Sequence, residues 1–319
     1  MIKQLESTSQ PTAIGETTMA LVAVFVDLLI IAFLPILLKV SEYELSPNAT
    51  IFNGFWIATV ILGLWNGLSW IRKRLLGRTI HVKLSSDIYK LLPLLLMLGV
   101  FSGGHQLFYA WSLTETTVAN SEVLHSLTPL FTTLVGWRFL GQTFDRKFLI
   151  GIAIAIVGSF FLAANDFSTA LDKLQGDGLA LVSAAFWGGY LMVTEKLRSQ
   201  LSVMAIAIWN CLLVTVLTLP FILATGEEIF PHSELGWLNL AFLGLSLILA
   251  KFLITYSLKR LSSGLVATIL LLHPVITAIL AWGIFSETLS LFNLLAFAIV
   301  LFGAYLTTSS KAGLKTTEE

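Results

Sequence analysis

Ten stretches of about twenty apolar residues recur along this chain, and no other feature restricts its fold so strongly. They lie at about 19–40, 49–69, 91–113, 116–138, 148–165, 178–195, 201–224, 236–258, 262–284 and 291–308. A helix needs about 20 mostly apolar residues to cross about 30 Å of hydrocarbon, so each stretch is long enough to span a bilayer. The separators are short and polar: Ser41-Glu42-Tyr43-Glu44, Arg72-Lys73-Arg74, Asp145-Arg146-Lys147 and Gly226-Glu227-Glu228. No stretch alternates in the manner of a membrane β-strand. Without water in the bilayer core the backbone must satisfy its own hydrogen bonds, which leaves the helix. The expected class is an all-α polytopic membrane protein with ten transmembrane helices. Composition agrees, since only 12% of the 319 residues are charged, against about 25% in an ordinary soluble domain.

Several function classes drop out at once. Lys+Arg and Asp+Glu are 19 each, so no net field draws nucleic acid or acidic partners. Cys211 is the single cysteine, which excludes an internal disulfide and any thiolate cluster. The five histidines show no metal-ligand spacing, and neither a metal nor another cofactor is expected. There is no Gly-x-Ser-x-Gly elbow, no Gly-x-Gly-Asp frame and no Walker A sequence, which argues against an enzyme and against a primary pump. The first span is too long for a signal-peptide core and reads as a retained helix.

Orientation follows from the cations. With the N-terminus inside, the cytoplasmic side carries 16 of the 19 Lys and Arg residues, among them Arg72, Lys73, Arg74, Arg138, Lys196 and Lys259. Only Lys39 and Lys173 fall outside, and Lys251 lies within a span. Both termini are therefore expected in the cytoplasm. The domain reading is a cytoplasmic tail over 1–18, a first five-helix unit over 19–165, an external linker over 166–177, a second unit over 178–308 and a cytoplasmic tail over 309–319.

A shift of 145 residues aligns 112–158 with 257–303. The pairs include Pro129/Pro274, Thr132/Thr277, Trp137/Trp282 and Gly158/Gly303. Spans three to five superpose on spans eight to ten, so the unit is five helices. Five is odd, and the second copy must enter the membrane upside down. Two inverted five-helix repeats with a binding region near the midplane are an architecture of secondary transporters.

The stretches Ser126-Leu127-Thr128-Pro129 through Trp137-Arg138-Phe139-Leu140-Gly141-Gln142, and His273-Pro274 through Trp282-Gly283-Ile284-Phe285-Ser286-Glu287, carry a family likeness. Over about residues 18–308 the chain resembles the EamA family of the drug/metabolite transporter superfamily. Gln142 stands where the family's first repeat ends in Glu, and Asn53-Gly54 where many relatives have an Arg. The resemblance implies a secondary active transporter that exports small metabolites such as amino acids, often using the proton gradient. Relatives that carry nucleotide sugars or organophosphates supply the alternative.

Polar groups inside hydrocarbon are the site candidates. A central charge costs roughly 2.5–3.5 kcal/mol on insertion scales. Lys251, in Leu249-Ala250-Lys251-Phe252-Leu253, lies eight residues before Lys259 at the inner edge. That is about 12 Å of helix, too deep for easy snorkelling. It either binds a substrate anion or forms a structural ion pair. Gln106 occupies the repeat-equivalent position, with His105 beside it. Glu122, His125, Ser126, Pro129, Thr132 and Thr133 share one face of the fourth span, and Glu122 is a vestibule group, a proton acceptor or a partner of His125. Asp27 is a partner for Lys251, a proton carrier or a helix–helix contact. Trp187 and Tyr190 bracket Gly188-Gly189 and either stack on a ligand or mark close packing. Asn210 lines the path or bonds between helices, and His273 reads as an interior histidine. Pro129 and Pro274 are expected to kink their helices and serve gating.

The expected partners are a small-molecule substrate and the lipid bilayer, with the chain acting as a monomer or homodimer in a bacterial inner membrane. A lipid-acting membrane enzyme would turn over substrate without compartments. A structural subunit would show neither flux nor ligand binding.

Overall fold

The computed structural model describes residues 13–41, 43–75, 88–115, 121, 124–125, 127–141, 143–164, 174–273, 275–276, 291–308 and 310. Ten helices are delimited among them: α1 (Ala13–Ser41), α2 (Pro47–Leu75), α3 (Ile88–Glu115), α4 (Thr128–Leu140), α5 (Arg146–Ala164), α6 (Leu174–Leu197), α7 (Val203–Thr225), α8 (Glu234–Ser257), α9 (Ser263–Leu270) and α10 (Leu291–Thr308). No strand occurs among the described residues. Segments of α1, α2, α3, α6, α7 and α8 are long and apolar enough to cross a membrane.

Local sequence sets the helix ends. Ser202, Ser233 and Ser262 cap α7, α8 and α9, each hydroxyl accepting a backbone N–H three residues on. Gly141 and Gly226 close α4 and α7 in the left-handed region, at φ 65° and 66°, where a Cβ would be strained. Two expected spans are interrupted by turns. α4 starts at Thr128 and α9 stops at Leu270, and the described residues beyond the turns, 121, 124–125, 273 and 275–276, are helical as well. Leu127 precedes α4 in a turn, and Leu271-Leu272 form a turn after α9. Pro129 stands in the first turn of α4. Its missing N–H is unneeded there, so it opens the helix, where the sequence reading expected a kink within a continuous span. Prolines within helices include Pro93 in α3 and Pro220 in α7. Pro274, Gln142 and Glu287 lie outside the described residues.

Polarity is inside-out. Leu64, Trp65, Leu68, Leu134, Trp137 and Leu223 are exposed, whereas Asp27, Asn53, Asn210 and Lys251 are buried. Such a surface fits lipid better than water.

The helix contacts repeat under an exchange of α1–α5 with α6–α10. α1 packs on α8 as α6 packs on α3, α2 on α8 as α7 on α3, and α7 on α8 as α2 on α3. The pairs α2·α7, α4·α9 and α5·α10 map onto themselves. The same 145-residue shift that aligns the halves relates individual contacts. A Cβ on Gly158 would meet Val300 at 2.7 Å, and one on Gly303 would meet Ala155 at 2.4 Å. Gly99 likewise abuts Leu213 of α7, and its equivalent Gly244 abuts Ile57 of α2. Small residues let these backbones approach closely, a recurring device in membrane helix packing.

At one end of the bundle the 41–47 connection is tied to the 226–233 connection. The Ser233 N–H, the Ser233 hydroxyl and the His232 N–H all donate to Glu44. These donors hold the Glu44 carboxyl below the usual carboxylate range, the Ser233 hydroxyl most strongly. Ser46 and Asn48 donate to Glu227, Trp111 Nε1 donates to Asn48 Oδ1 at 2.8 Å, and Asn53 donates to Ile229 O. At the opposite end Arg260 pairs with Glu16 of α1, and Ser257 donates to Ala20 O at 2.9 Å.

Candidate functional site

A cavity of about 130 Å³ opens between the halves. Its walls come from α1, α2, α3, α4, α6, α8 and α9 together with His125, Leu271 and His273. The lining lies toward the end that carries Glu44, drawing on the C-terminal halves of α1 and α3 and on the start of α2. Below it, toward Arg260, the core closes with Ala20, Val24, Leu95, Leu98, Leu258 and Leu265.

Lys251 reaches the cavity from the middle of α8 and is 3% exposed. Its ammonium lies 3.9 Å from the centroid of the Tyr190 ring and 4.8 Å from that of Trp187. A desolvated cation over a ring face gains about 2 kcal/mol or more, which offsets part of its burial. Nζ also donates to Ser102 Oγ at 3.3 Å, and Ser102 donates to Asn210 Oδ1 at 3.4 Å. α3, α6 and α7 thus all hold one cation.

Asp27, fully buried on α1, feels the Lys251 charge. Neither of its carboxylate oxygens has a hydrogen-bond partner among the described residues. It lies outside the cavity lining, as do Tyr190 and Asn210.

His105, Gln106, Pro129 and Trp187 do line the cavity with Lys251. Gln106 and Lys251, equivalent under the 145-residue shift, face the same space. His105 is fixed by Ser183. The Ser183 hydroxyl donates to the His105 carbonyl at 3.0 Å, and its oxygen lies 3.0 Å from His105 Nδ1. With that proton spent, Oγ accepts from Nδ1–H, which leaves Nε2 as the acceptor of the neutral ring. Trp187 is flanked by His105 at 4.7 Å and stacked on Tyr190 at 5.0 Å. His125 approaches His105 at 5.0 Å between ring centroids. Gly188 abuts Thr132 and Gly189 abuts Phe101, so this segment packs closely and lines the cavity at once. Glu122 lies outside the described residues.

Sequence reasoning passed over Ser102, Ser183, Phe55 and Tyr109. Serines on apolar helices carry no periodic signal of their own. Tyr109, one turn after His105 on α3, was open to detection from helical spacing.

The model of the EamA-like transporter family matches residues 18–164 and 174–309. An uncharacterized transporter of Archaeoglobus fulgidus is 27% identical over 86% of this chain and 92% of its own length. The pseudopaline exporter CntI of Pseudomonas aeruginosa is 22% identical over 61% of this chain and 67% of its own. A solved crystal structure of a protein superposes with a TM-score of 0.74 over 91% of this chain and 97% of that one, at 19% identity. That likeness shows the fold.

Proposed function

The chain belongs to the EamA-like transporter family, and we propose that it is a secondary active exporter of a small metabolite, an amino acid or related organic acid. It works by alternating access, with ten transmembrane helices in two inverted five-helix repeats. The units run 19–165 and 178–308, joined by the external linker 166–177, and the tails 1–18 and 309–319 are cytoplasmic. The membrane is the bacterial inner membrane. Lys251 carries the reading, as a buried ammonium at a cavity between the repeats with no carboxylate hydrogen-bonded to it among the described residues. Intramembrane ionisable groups mark substrate and ion pathways by default.

Gln106, His105, Trp187, Tyr190 and Asn210 assist Lys251 in the binding region, and Asp27 and Glu122 are the proton-linked groups. Pro129 and Pro274 are the gating residues of the two repeats. Outward transport draws support from the relative named as an exporter. The cavity of about 130 Å³ is small beside the roughly 300–1,000 Å³ of sites for drug-sized ligands, which favours a small metabolite over a nucleotide sugar.

The test is flux from proteoliposomes loaded with amino acids and small metabolites, with and without a pH gradient. Selective, gradient-sensitive loss of one compound from wild-type vesicles, absent with Lys251→Gln, is expected. Normal flux through the folded Lys251→Gln protein removes Lys251 from the site.

A further inference from the structure

Resting on that transport reading, we infer that the cavity selects a small carboxylate whose second polar group is neutral, an α-hydroxy acid with an apolar side chain, over the corresponding amino acid. The charge of the walls carries the argument. Lys251 is the single cation on the described lining, and no described lining residue bears a carboxylate. An incoming carboxylate therefore finds an ammonium to pair with, whereas the ammonium of an amino acid finds no described opposite charge. Asp27, fully buried, lies off the lining and on the far side of that balance, acting on Lys251.

The two ring faces closest to Lys251 are already occupied by its ammonium. Tyr190 and Trp187 hold the lysine at 3.9 and 4.8 Å from their centroids, and a second cation there meets like-charge repulsion. His105 and Gln106 offer neutral hydrogen-bonding groups instead, matched to a hydroxyl. The His105 ring presents Nε2 as acceptor because Nδ1 is taken by Ser183.

The rest of the wall is aliphatic, with Ile31, Leu34, Leu243, Leu247, Leu270 and Leu271. Its volume of about 130 Å³ is near the 150 Å³ of an engineered apolar cavity that accepts benzene. A branched aliphatic side chain fits those walls and that size.

Three isosteres separate the charge classes: α-hydroxyisocaproate, leucine and leucinamide. The full-length protein is reconstituted in liposomes, and efflux of each labelled compound is measured at neutral pH, alongside the shift each produces in thermal unfolding. A buried charge without a partner is disfavoured enough to predict that the hydroxy acid exceeds leucine about a hundredfold in saturable flux, with leucinamide lower still. The hydroxy acid alone stabilises the wild type. Lys251→Gln loses both effects, and Lys251→Arg retains part of each. Leucine flux equal to or above that of the hydroxy acid, still dependent on Lys251, overturns the charge selection and leaves the carrier reading standing. If none of the three moves or stabilises folded protein, and the metabolite pool shows no selective flux, both readings fall.

Discussion

Adding one methyl group at Gly303 probes a close backbone-to-backbone contact between α5 and α10. An alanine Cβ there would lie 2.4 Å from Ala155 N and 2.7 Å from Gly151 O. Both are backbone atoms, so no flexible tip can swing aside. Ordinary contact begins at 3.4 Å, and α5 and α10 must part by about 1 Å in an interior that packs like a crystal. Overpacking of this kind costs about 1–3 kcal/mol, while alanine in place of glycine in a helix returns about 1 kcal/mol. The net expectation is a loss of up to about 2 kcal/mol, a fall of up to about 5 °C in the unfolding midpoint. Gly63→Ala is the internal control, because nothing lies within 4 Å of its added Cβ. The same propensity term stabilises that variant by about 0.5–1 kcal/mol. Thermal unfolding of detergent-solubilised protein, followed by the fluorescence of its nine tryptophans, reads both. Gly158→Ala, the equivalent position in the first repeat, moves with Gly303→Ala. A midpoint for Gly303→Ala as high as that of Gly63→Ala would falsify the close-seam argument.

Further expectations follow from the buried charges and the tied connections. Lys251→Gln removes the charge that Asp27 feels, and a double-mutant cycle with Asp27→Asn, read by thermal unfolding of the folded variants, shows a measurable coupling between the two groups. Strictly additive losses in that double-mutant cycle would show the two groups to be independent. Tyr190→Leu removes the ring 3.9 Å from Nζ and weakens the hold on Lys251 by about 2 kcal/mol, whereas Tyr190→Phe keeps it; equal thermal stability of the two variants counts against the ring contact. Ser183→Ala frees His105 to rotate and lowers stability by about 1 kcal/mol, with a matching loss of substrate affinity in titrations. Because Glu44 is held below its ordinary 4.5, its contribution is complete above that value and disappears as pH falls through the lower, folded one. Acidification through and below that range therefore loosens the 41–47 connection, read as faster amide exchange there, and Glu44→Gln abolishes the pH step.

Much of this organisation was legible before any coordinates. The apolar runs locate the helices because a bilayer leaves the backbone no alternative. The paired Pro, Trp and Gly residues expose the repeat because they are scarce enough for coincidence to be improbable. Lys251 stood out since a lone cation in Leu249-Ala250-Lys251-Phe252-Leu253 demands an explanation, and the repeat shift led from it to Gln106. Lengths within the fourth and ninth stretches were not legible, because hydropathy alone does not report a turn at Leu127 or at Leu271-Leu272. The Ser102–Asn210 and Ser183–His105 contacts depend on how one helix is rotated against another, which the residues of a single helix do not encode. Glu44 and Glu227 read only as polar separators, since their partners lie more than a hundred residues away in sequence.

The cradle around Lys251 bears on speed as well as recognition. Ring faces attract an ammonium without supplying a lone pair, so on the proposed transport reading an arriving anion has no bond to a described carboxylate to break before it docks. When the anion departs, the ammonium settles back on Tyr190 and Trp187 with only the long Ser102 hydrogen bond to re-form. A short residence time raises turnover wherever release limits the cycle. A lysine resting on aromatic rings thus suits a site that must empty as readily as it fills.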